Sequence, residues 1–336
     1  MTIQHALNQL IRDGFLYTLP RKGTFVVPAP PHLCHYAITF HEQPSEPGGW
    51  PQFWAGLSHE AISMQQAGDR RLSLFYGVHG WKRQGDFPRL LDLARRHLLA
   101  GIIFTSDPHH LVGMPLFTEP GIPRVAITPG TYPGVTSVML DTESLWGRLA
   151  DAVCVGSRRR MGLVTTPGYP NAELRAFIEG RGIEMRPEWM LAVHVEDAEW
   201  ACNAARSIVQ GDRRRRPEVV FIADDNLVPH ATAGLAASGL RVPDDLEVIA
   251  HCNLPWPTTS SVPARRLGYD VRRVLKTCMD LIDQMRAERA VPAQVVVPAI
   301  WEEELASARA AEAQPADPAQ RPAARDRPAA TLASAG

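Results

Sequence analysis

Residues 217–251 read PEVVFIADDNLVPHATAGLAASGLRVPDDLEVIAH, and this stretch decides the fold. Val219–Ile222 is a short apolar run bounded by charged residues, the signature of a buried strand. Asp224 and Asp225 then open a helical segment, where either carboxylate can serve as an N-cap. After Ser238-Gly239 and the Val242-Pro243-Asp244-Asp245 turn, Leu246–Ala250 forms a second short apolar run. Short apolar strands separated by helices are the unit of parallel sheets covered on both faces.

The same alternation extends outward in both directions. Strands are expected at Tyr36–Phe40, Leu72–Tyr76, Gly101–Thr105, Arg124–Ile127, Thr136–Leu140, Met161–Thr165 and Met190–Val195. Helices are expected from Pro51, Phe87, Asp141, Asn171 and Glu199. A long amphipathic helix, Val271–Ala287, and a strand at Ala293–Val297 close the folded part. Open parallel sheets bind ligands beyond the carboxyl ends of their strands, so two such halves facing each other would share one cleft. The expected division is lobe 1 over residues 36–135 plus 268–292 and lobe 2 over 141–252, with a crossover near Pro257–Leu267 after which the late helix and strand return the chain to lobe 1. Pro28, Pro30 and Pro31 make residues 29–35 a stiff linker. The Ala-, Pro- and Arg-rich tail, residues 306–336, lacks apolar periodicity and is expected to be disordered.

Composition excludes several classes of function. With 45% hydrophobic and 21% charged residues the 336-residue chain is ordinary for a globular protein. A formal net charge of −1 means that any nucleic-acid contact must come from a local basic surface. Five scattered cysteines (Cys34, Cys154, Cys202, Cys252, Cys278) form no CxxC pair, which argues against a disulfide framework or a zinc module. His109-His110 and Cys34-His35 lack a third ligand at metal spacing. No run reaches the length of a membrane span and no signal peptide is visible, so a cytoplasmic location is expected. The runs Arg158–Arg160 and Arg213–Arg216 read as solvated loops. There is no GxSxG, P-loop or HExxH, and neither catalysis nor a cofactor nor a metal is expected.

Residues 217–251 resemble the sensor signature of the LacI-type regulators through Pro217, Val220, Phe221, Asp225, Gly239, Leu240, Val242-Pro243, Asp245 and Val248-Ile249. With the alternation, the resemblance covers about Tyr36 to Glu304. It implies an α/β, two-lobed, periplasmic-binding-protein-like sensor: two parallel sheets flanked by helices around a small-ligand cleft. It further implies ligand contacts from Asp225, from Arg175, and from Cys252 and Asn253 of the triplet His251-Cys252-Asn253. Cys252 stands where relatives place an Asp, which puts an ordinary sugar ligand in question. After the first strand, His41, Glu42, Trp50 and Phe53 are candidates, since aromatic rings can stack on a ligand or pack in the core. Asp107, after the third strand, is a weaker one.

The N-terminal stretch MTIQHALNQLIRDGFLYTLPRKGTFV, Met1–Val26, resembles the second half of the GntR-type winged helix-turn-helix. Thr2, Ile3, Ala6, Leu7, Leu10, Gly14, Leu16 and Gly23-Thr24-Phe25-Val26 carry the match over a helix at Thr2–Asp13 and a two-stranded wing. The resemblance implies that residues 1–28 are a partial DNA-binding head, in which Thr2, Gln4, His5 and Gln9 face a major groove. Arg21, Lys22, Gly23 and Thr24 at the wing tip suit phosphate contact. Gln4-His5 replaces the Arg usual there. The family's first two helices would precede Met1, so Met1 is expected to be an internal codon of a longer chain. The function expected is a bacterial regulator, a repressor in the sense of the family, acting as a homodimer on operator DNA under control of a small polar effector such as a carbohydrate. A cytoplasmic small-ligand receptor that has lost DNA binding is the alternative.

Overall fold

The computed structural model describes residues 3–44, 50–68, 70–79, 85–155 and 158–313. Thr2, among the expected DNA contacts, and most of the tail, residues 314–336, lie outside them.

Helix α1 (Ile3–Arg12) carries its apolar residues at helical spacing and stops at Gly14, whose φ of +81° favours glycine. Strands β1 (Leu16–Leu19) and β2 (Gly23–Val26) pair antiparallel from Leu16↔Val26 to Leu19↔Gly23. Arg21 and Gly23 both take positive φ in the turn. None of the α1 side chains is buried, and Ile3 is 83% exposed. So small a unit cannot close a core of its own. Its contacts with the rest of the described chain include the Asp13–Arg96 ion pair and the stacking of Phe15 on His32 at 5.5 Å. The linker is less extended than its prolines suggest, because helical turn α2 (Pro31–Cys34) occupies it.

Lobe 1 runs β3 (His35–Thr39), α3 (Gln52–Ala67), β4 (Arg71–Phe75), α4 (Phe87–Arg95), β5 (Gly101–Phe104), α5 (Pro115–Thr118), β6 (Arg124–Ile127) and β7 (Thr136–Asp141). Lobe 2 follows with α6 (Thr142–Val155), β8 (Met161–Thr165), α7 (Asn171–Glu179), β9 (Met190–Ala192), α8 (Trp200–Ile208), β10 (Val219–Ile222), α9 (Val228–Ala237), β11 (Glu247–Leu254) and β12 (Arg265–Asp270). The chain then passes through α10 (Val271–Arg286), β13 (Gln294–Pro298), β14 (Ile300–Trp301) and α11 (Glu302–Ala313).

Two six-stranded sheets result, ordered β13-β7-β6-β5-β3-β4 and β14-β12-β11-β10-β8-β9. Every pairing is parallel except β12 with β14. Strand alternation sends Tyr36, Ile38 and Ile103 toward α3 and α10, and Ala37, Ile102 and Phe104 toward α4 and α5. In lobe 2, Leu163 and Phe221 face α6 and α7, while Val164, Val220 and Ile222 face α8 and α9. Both faces of each sheet are therefore covered, which explains why the strands are continuous apolar runs.

Three expected boundaries move. Strand β13 joins the lobe 1 sheet as expected of the late strand, but β7 joins it too, and β12, β14 and α11 join lobe 2. The crossover expected near Pro257–Leu267 thus contains the start of a strand. Its polar sequence, Arg265-Arg266-Leu267-Gly268-Tyr269-Asp270, is tolerated because Arg265 stacks over Trp301 at 4.1 Å and Arg266 donates to the Thr258 carbonyl at 2.8 Å. The expected tail boundary also shifts: α11 continues to Ala313. The chain accordingly crosses between lobes at Asp141/Thr142, Asp270/Val271 and Pro298–Ile300.

The start of lobe 1 carries a pH-dependent contribution to stability. His35 is buried, with Nδ1 2.9 Å from the Leu98 carbonyl and Nε2 2.8 Å from Ser73 Oγ. Burial, helped by the Arg71 charge, lowers its pKa to about 4. The unfolded chain then binds the proton more tightly, so this contribution is complete above about pH 6.5 and is lost as pH falls toward about 4. Between those limits the wild type is expected to lose roughly 2 kcal/mol more stability than His35→Gln, measured by urea unfolding at each pH. Parallel pH profiles would refute the assignment.

Candidate ligand cleft

The carboxyl ends of both sheets point toward the boundary between the lobes. In lobe 2 the parallel strands β8 and β10 end at Thr165 and just before the Asp224-Asp225-Asn226 turn, and β11 and β12 end at Leu254 and Asp270, with Asn253 and Tyr269 next to last. Asp225 is 3% exposed, and its Oδ2 accepts from Asn253 Nδ2 at 2.6 Å. Burial raises the Asp225 pKa, against the lowering effect of His251, while neighbouring Asp224 adds to the rise. Asp224, not Asp225, makes the capping-type contact, accepting from the Asn226 backbone N–H at 2.9 Å.

Three polar atoms at these strand ends, Thr165 Oγ1, His251 Nδ1 and Asn253 Oδ1, are buried with no hydrogen-bond partner among the described residues. Such atoms are costly unless something fills their hydrogen-bonding capacity. Together with the Asp225 carboxylate they offer acceptors plus one hydroxyl, a set that suits a ligand bearing several polar hydrogens.

Lobe 1 supplies aromatic rings. Trp50 lies 5.1 Å from Phe40, 5.1 Å from Trp54 and 5.7 Å from Tyr76, and Phe53 packs against the same core. His41 contacts Ser106 Oγ at 3.1 Å, Glu42 at 3.2 Å and the edge of Trp54 at 4.7 Å. These four expected residues, His41, Glu42, Trp50 and Phe53, are therefore brought together. Asp107 is committed elsewhere: it accepts from Thr128 Oγ1 at 2.8 Å, from the His109 N–H at 3.0 Å and from the Tyr132 hydroxyl. Burial would raise its pKa, but these hydrogen bonds outweigh it and hold the carboxyl below its ordinary value.

The lobes meet across α3. Its first residue, Gln52, donates its backbone N–H to Asn226 Oδ1 at 3.0 Å, Glu60 accepts from Trp256 Nε1 at 3.2 Å, and Gly56 lies against Asn253 and Trp256. Within lobe 1, the space ringed by Thr39, His41, Ser106 and His110 is about 10 Å³, room for no more than a water. Asn226, Glu60, Trp54 and Trp256 were missed by sequence reasoning; Asn226 was findable as the last residue of the Asp224-Asp225-Asn226 turn.

Two expected ligand contacts do not reach this cleft. Cys252 is fully buried beside Leu254, Leu305 and Ile300, and burial pushes its thiol up to about 12. Alternation along β11 turns it away from the face that holds Asn253. Arg175 lies on the outer side of α7, paired with Glu179 at 2.9 Å. Its shallow surroundings, including Ala172, Pro187 and Met190, come from lobe 2 alone.

Among the expected DNA contacts, Gln4, His5, Arg21, Lys22, Gly23 and Thr24 are exposed. Gln4 donates to Asn8 at 3.1 Å, and Thr24 shares a hydroxyl contact with Thr18 at 3.1 Å. Gln9 is drawn to Asp13, at 2.8 Å, which occupies its amide. Among the described residues no helix is long and apolar enough to cross a membrane.

Residues 158–302 match the family described as periplasmic binding protein-like domain. The chain is 32% identical over 108 residues to the HTH-type transcriptional repressor PurR of Aliivibrio fischeri (strain ATCC 700601 / ES114), covering 32% of each chain. It is 23% identical over 209 residues to the repressor of the same name in Vibrio vulnificus (strain CMCP6), covering 60% of this chain and 61% of that one. The matched part thus spans about a third of the first relative's length. Among solved structures, a LacI family transcriptional regulator from Lactobacillus casei with bound glucose superposes with a TM-score of 0.56 at 17% identity, covering 80% of this chain and 97% of that one. A regulatory protein of LacI family from Chloroflexus aggregans gives 0.61 at 13% identity, covering 80% and 96%. The architecture is the two-lobed, periplasmic-binding-protein-like α/β fold, shared with these LacI-family structures.

Proposed function

We propose that this chain is a ligand-responsive bacterial transcription regulator, acting as a repressor, in which a small polar molecule between the lobes sets the affinity of an N-terminal head for operator DNA. The observation that carries the sensing role is the set of buried, unpartnered polar atoms at the lobe 2 strand ends, opposite the aromatic rings of lobe 1. A binding site, not a catalytic one, fits that set, since no nucleophile is paired with a base in it. The relatives named as repressors and the neighbour carrying glucose support a regulator with a carbohydrate-like effector, held by Asp225 and Asn253 and flanked by Trp50 and His41.

The DNA-contacting role of α1 and the hairpin rests on its GntR-type pattern and on its form: a helix followed by a two-stranded wing with Arg21 and Lys22 exposed at the tip. Two-fold operators favour a homodimer, in which lobe closure changes the spacing of two heads. That coupling requires the effector to bind the two closure states unequally.

Gel retardation with the DNA upstream of the protein's own gene tests the reading. The full chain is expected to retard it, and Arg21→Ala with Lys22→Ala to weaken retardation about ten-fold or more at fixed salt. Absence of retardation, together with a ligand that raises Tm in a thermal-shift screen of sugars, polyols and nucleosides, would favour the receptor that has lost DNA binding.

A further inference from the structure

A second cavity, about 500 Å³, opens on the outer side of the hinge and has no part in the cleft. It is bounded by Met64 of α3 and the first turns of α10 on the lobe 1 side, and by β14 and α11 on the lobe 2 side. Cys252, Leu254, Ile300 and Leu305 pack as an apolar partition on the face of β11 opposite Asn253. Two of the three interlobe crossings, at Asp270/Val271 and Pro298–Ile300, pass along this cavity.

Its lining is cationic, and the balance of partners decides its chemistry. Arg272, Arg273, Lys276 and Arg309 all border it, against only two carboxylates, Asp270 and Glu304. Both carboxylates are engaged: Asp270 accepts from the backbone N–H groups of Arg272 and Arg273, and Glu304 takes a two-oxygen contact from Arg148 at 2.7 and 2.8 Å. Arg272 leans toward the buried Glu60 at 3.6 Å. Arg273 and Lys276 have no carboxylate within ion-pair distance among the described residues. Arg309 Nη2 is shielded from solvent and has no hydrogen-bond partner among them. An Arg N–H that is buried and unsatisfied is expensive, and a planar fork beside two free cations is the usual recognition element for an oxyanion.

We propose that this hinge cavity is a second ligand site, for a small phosphorylated metabolite whose phosphate is held between Arg273 and Lys276 of α10 and Arg309 of α11. The volume lies in the range of small-molecule sites and exceeds what a bare phosphate fills, so the ester portion sits against Met64, Ile300 and Leu305. Because α10 packs on lobe 1 and α11 on lobe 2, an anion joining them ties the lobes together at the hinge, independently of the cleft ligand and of any DNA contact.

The test is direct titration of the full chain at low salt with pyrophosphate and with glucose 6-phosphate, followed by calorimetry and Tm. Saturable one-to-one binding is expected, weakened about ten-fold or more by Lys276→Met and by Arg309→Met singly. Arg214→Met, in the exposed Arg213–Arg216 run, is the control expected to leave it unchanged. Absence of saturable binding, or equal loss in all three variants, overturns the site. Circular dichroism confirms that each variant is folded, and Lys276→Arg is expected to restore binding. Loss of binding in that variant too would show that α10 is perturbed, and would overturn the assignment of Lys276 as a phosphate contact.

Discussion

Replacing Gly268 by alanine is expected to cost lobe 2 about 3 kcal/mol or more, seen as a lower urea midpoint and a fall in soluble yield. Gly268 sits in the middle of β12, where a Cβ would lie 1.8 Å from the Cys252 carbonyl oxygen and 2.8 Å from its carbon. Neither backbone can yield cheaply. The β11–β12 register runs from Ile249↔Arg265 through Cys252↔Gly268 to Leu254↔Asp270, and β12 is held on its other side by β14. A shift there would also move Asn253, whose partner in the register is Tyr269, and with it the cleft. The comparison is Gly147→Ala in α6, where an added Cβ meets nothing within 4 Å. That change is expected to be neutral or to stabilise by about 0.5–1 kcal/mol, because alanine loses less conformational freedom in a helix. Equal midpoints for the two variants would mean that the β11–β12 approach is looser than it stands here.

The same strand marks where sequence reading stopped. Val219–Ile222 and Met161–Thr165 were legible because both faces of each strand are covered by helices, which demands unbroken apolar runs. Strand β12 breaks that rule. Its arginines are satisfied by Trp301 and by the Thr258 carbonyl, both set by tertiary contact, and its Gly268 signals a close approach that periodicity does not encode. The allocation of β12 and β14 to lobe 2 was hidden for a related reason: which sheet a strand joins depends on partners distant in sequence. In the head, a helix and hairpin were legible from apolar spacing and from Gly14 and Gly23, while the Gln9–Asp13 contact was not.

The cleft was read in part for physical reasons that separate two neighbours. In His251-Cys252-Asn253 the side-chain type drew attention to both Cys252 and Asn253, yet strand parity allows adjacent residues to serve only opposite faces. Leu254 shares the Cys252 face and joins its apolar cluster, which leaves Asn253 for the cleft. Arg175 failed differently: at helical spacing from Glu179 it has an intrahelical partner on the outer surface. Glu60 and Trp256 escaped notice because each acquires its role only when α3 of one lobe meets the segment after β11 of the other.

Asp225→Asn is expected to strengthen the ligand-free protein while weakening effector binding by about ten- to a hundred-fold. In the folded state the carboxyl is buried, with the Asn253 amide as its close side-chain donor, and its pKa is raised. A raised pKa means that the folded state binds the proton more tightly than the unfolded chain. The stabilising share is therefore fully present below the unfolded pKa of about 3.9 and is lost as pH rises through the folded value. At neutral pH the wild type thus carries the cost of that buried carboxyl, which asparagine would replace at nearly equal volume. An amide oxygen at the same place can still accept from Asn253, so the variant is expected to gain about 2–4 °C in Tm at pH 7 and to show a flatter loss of stability above pH 4. What it cannot do is offer a charged acceptor to a ligand hydroxyl, which is where the loss of affinity arises. A variant that loses both Tm and binding would show Asp225 to be structural; one that gains Tm and keeps full affinity would remove it from the site. The expected exchange of stability for binding is the reason to place a buried carboxylate beside an unsatisfied Asn253 oxygen at the end of these strands.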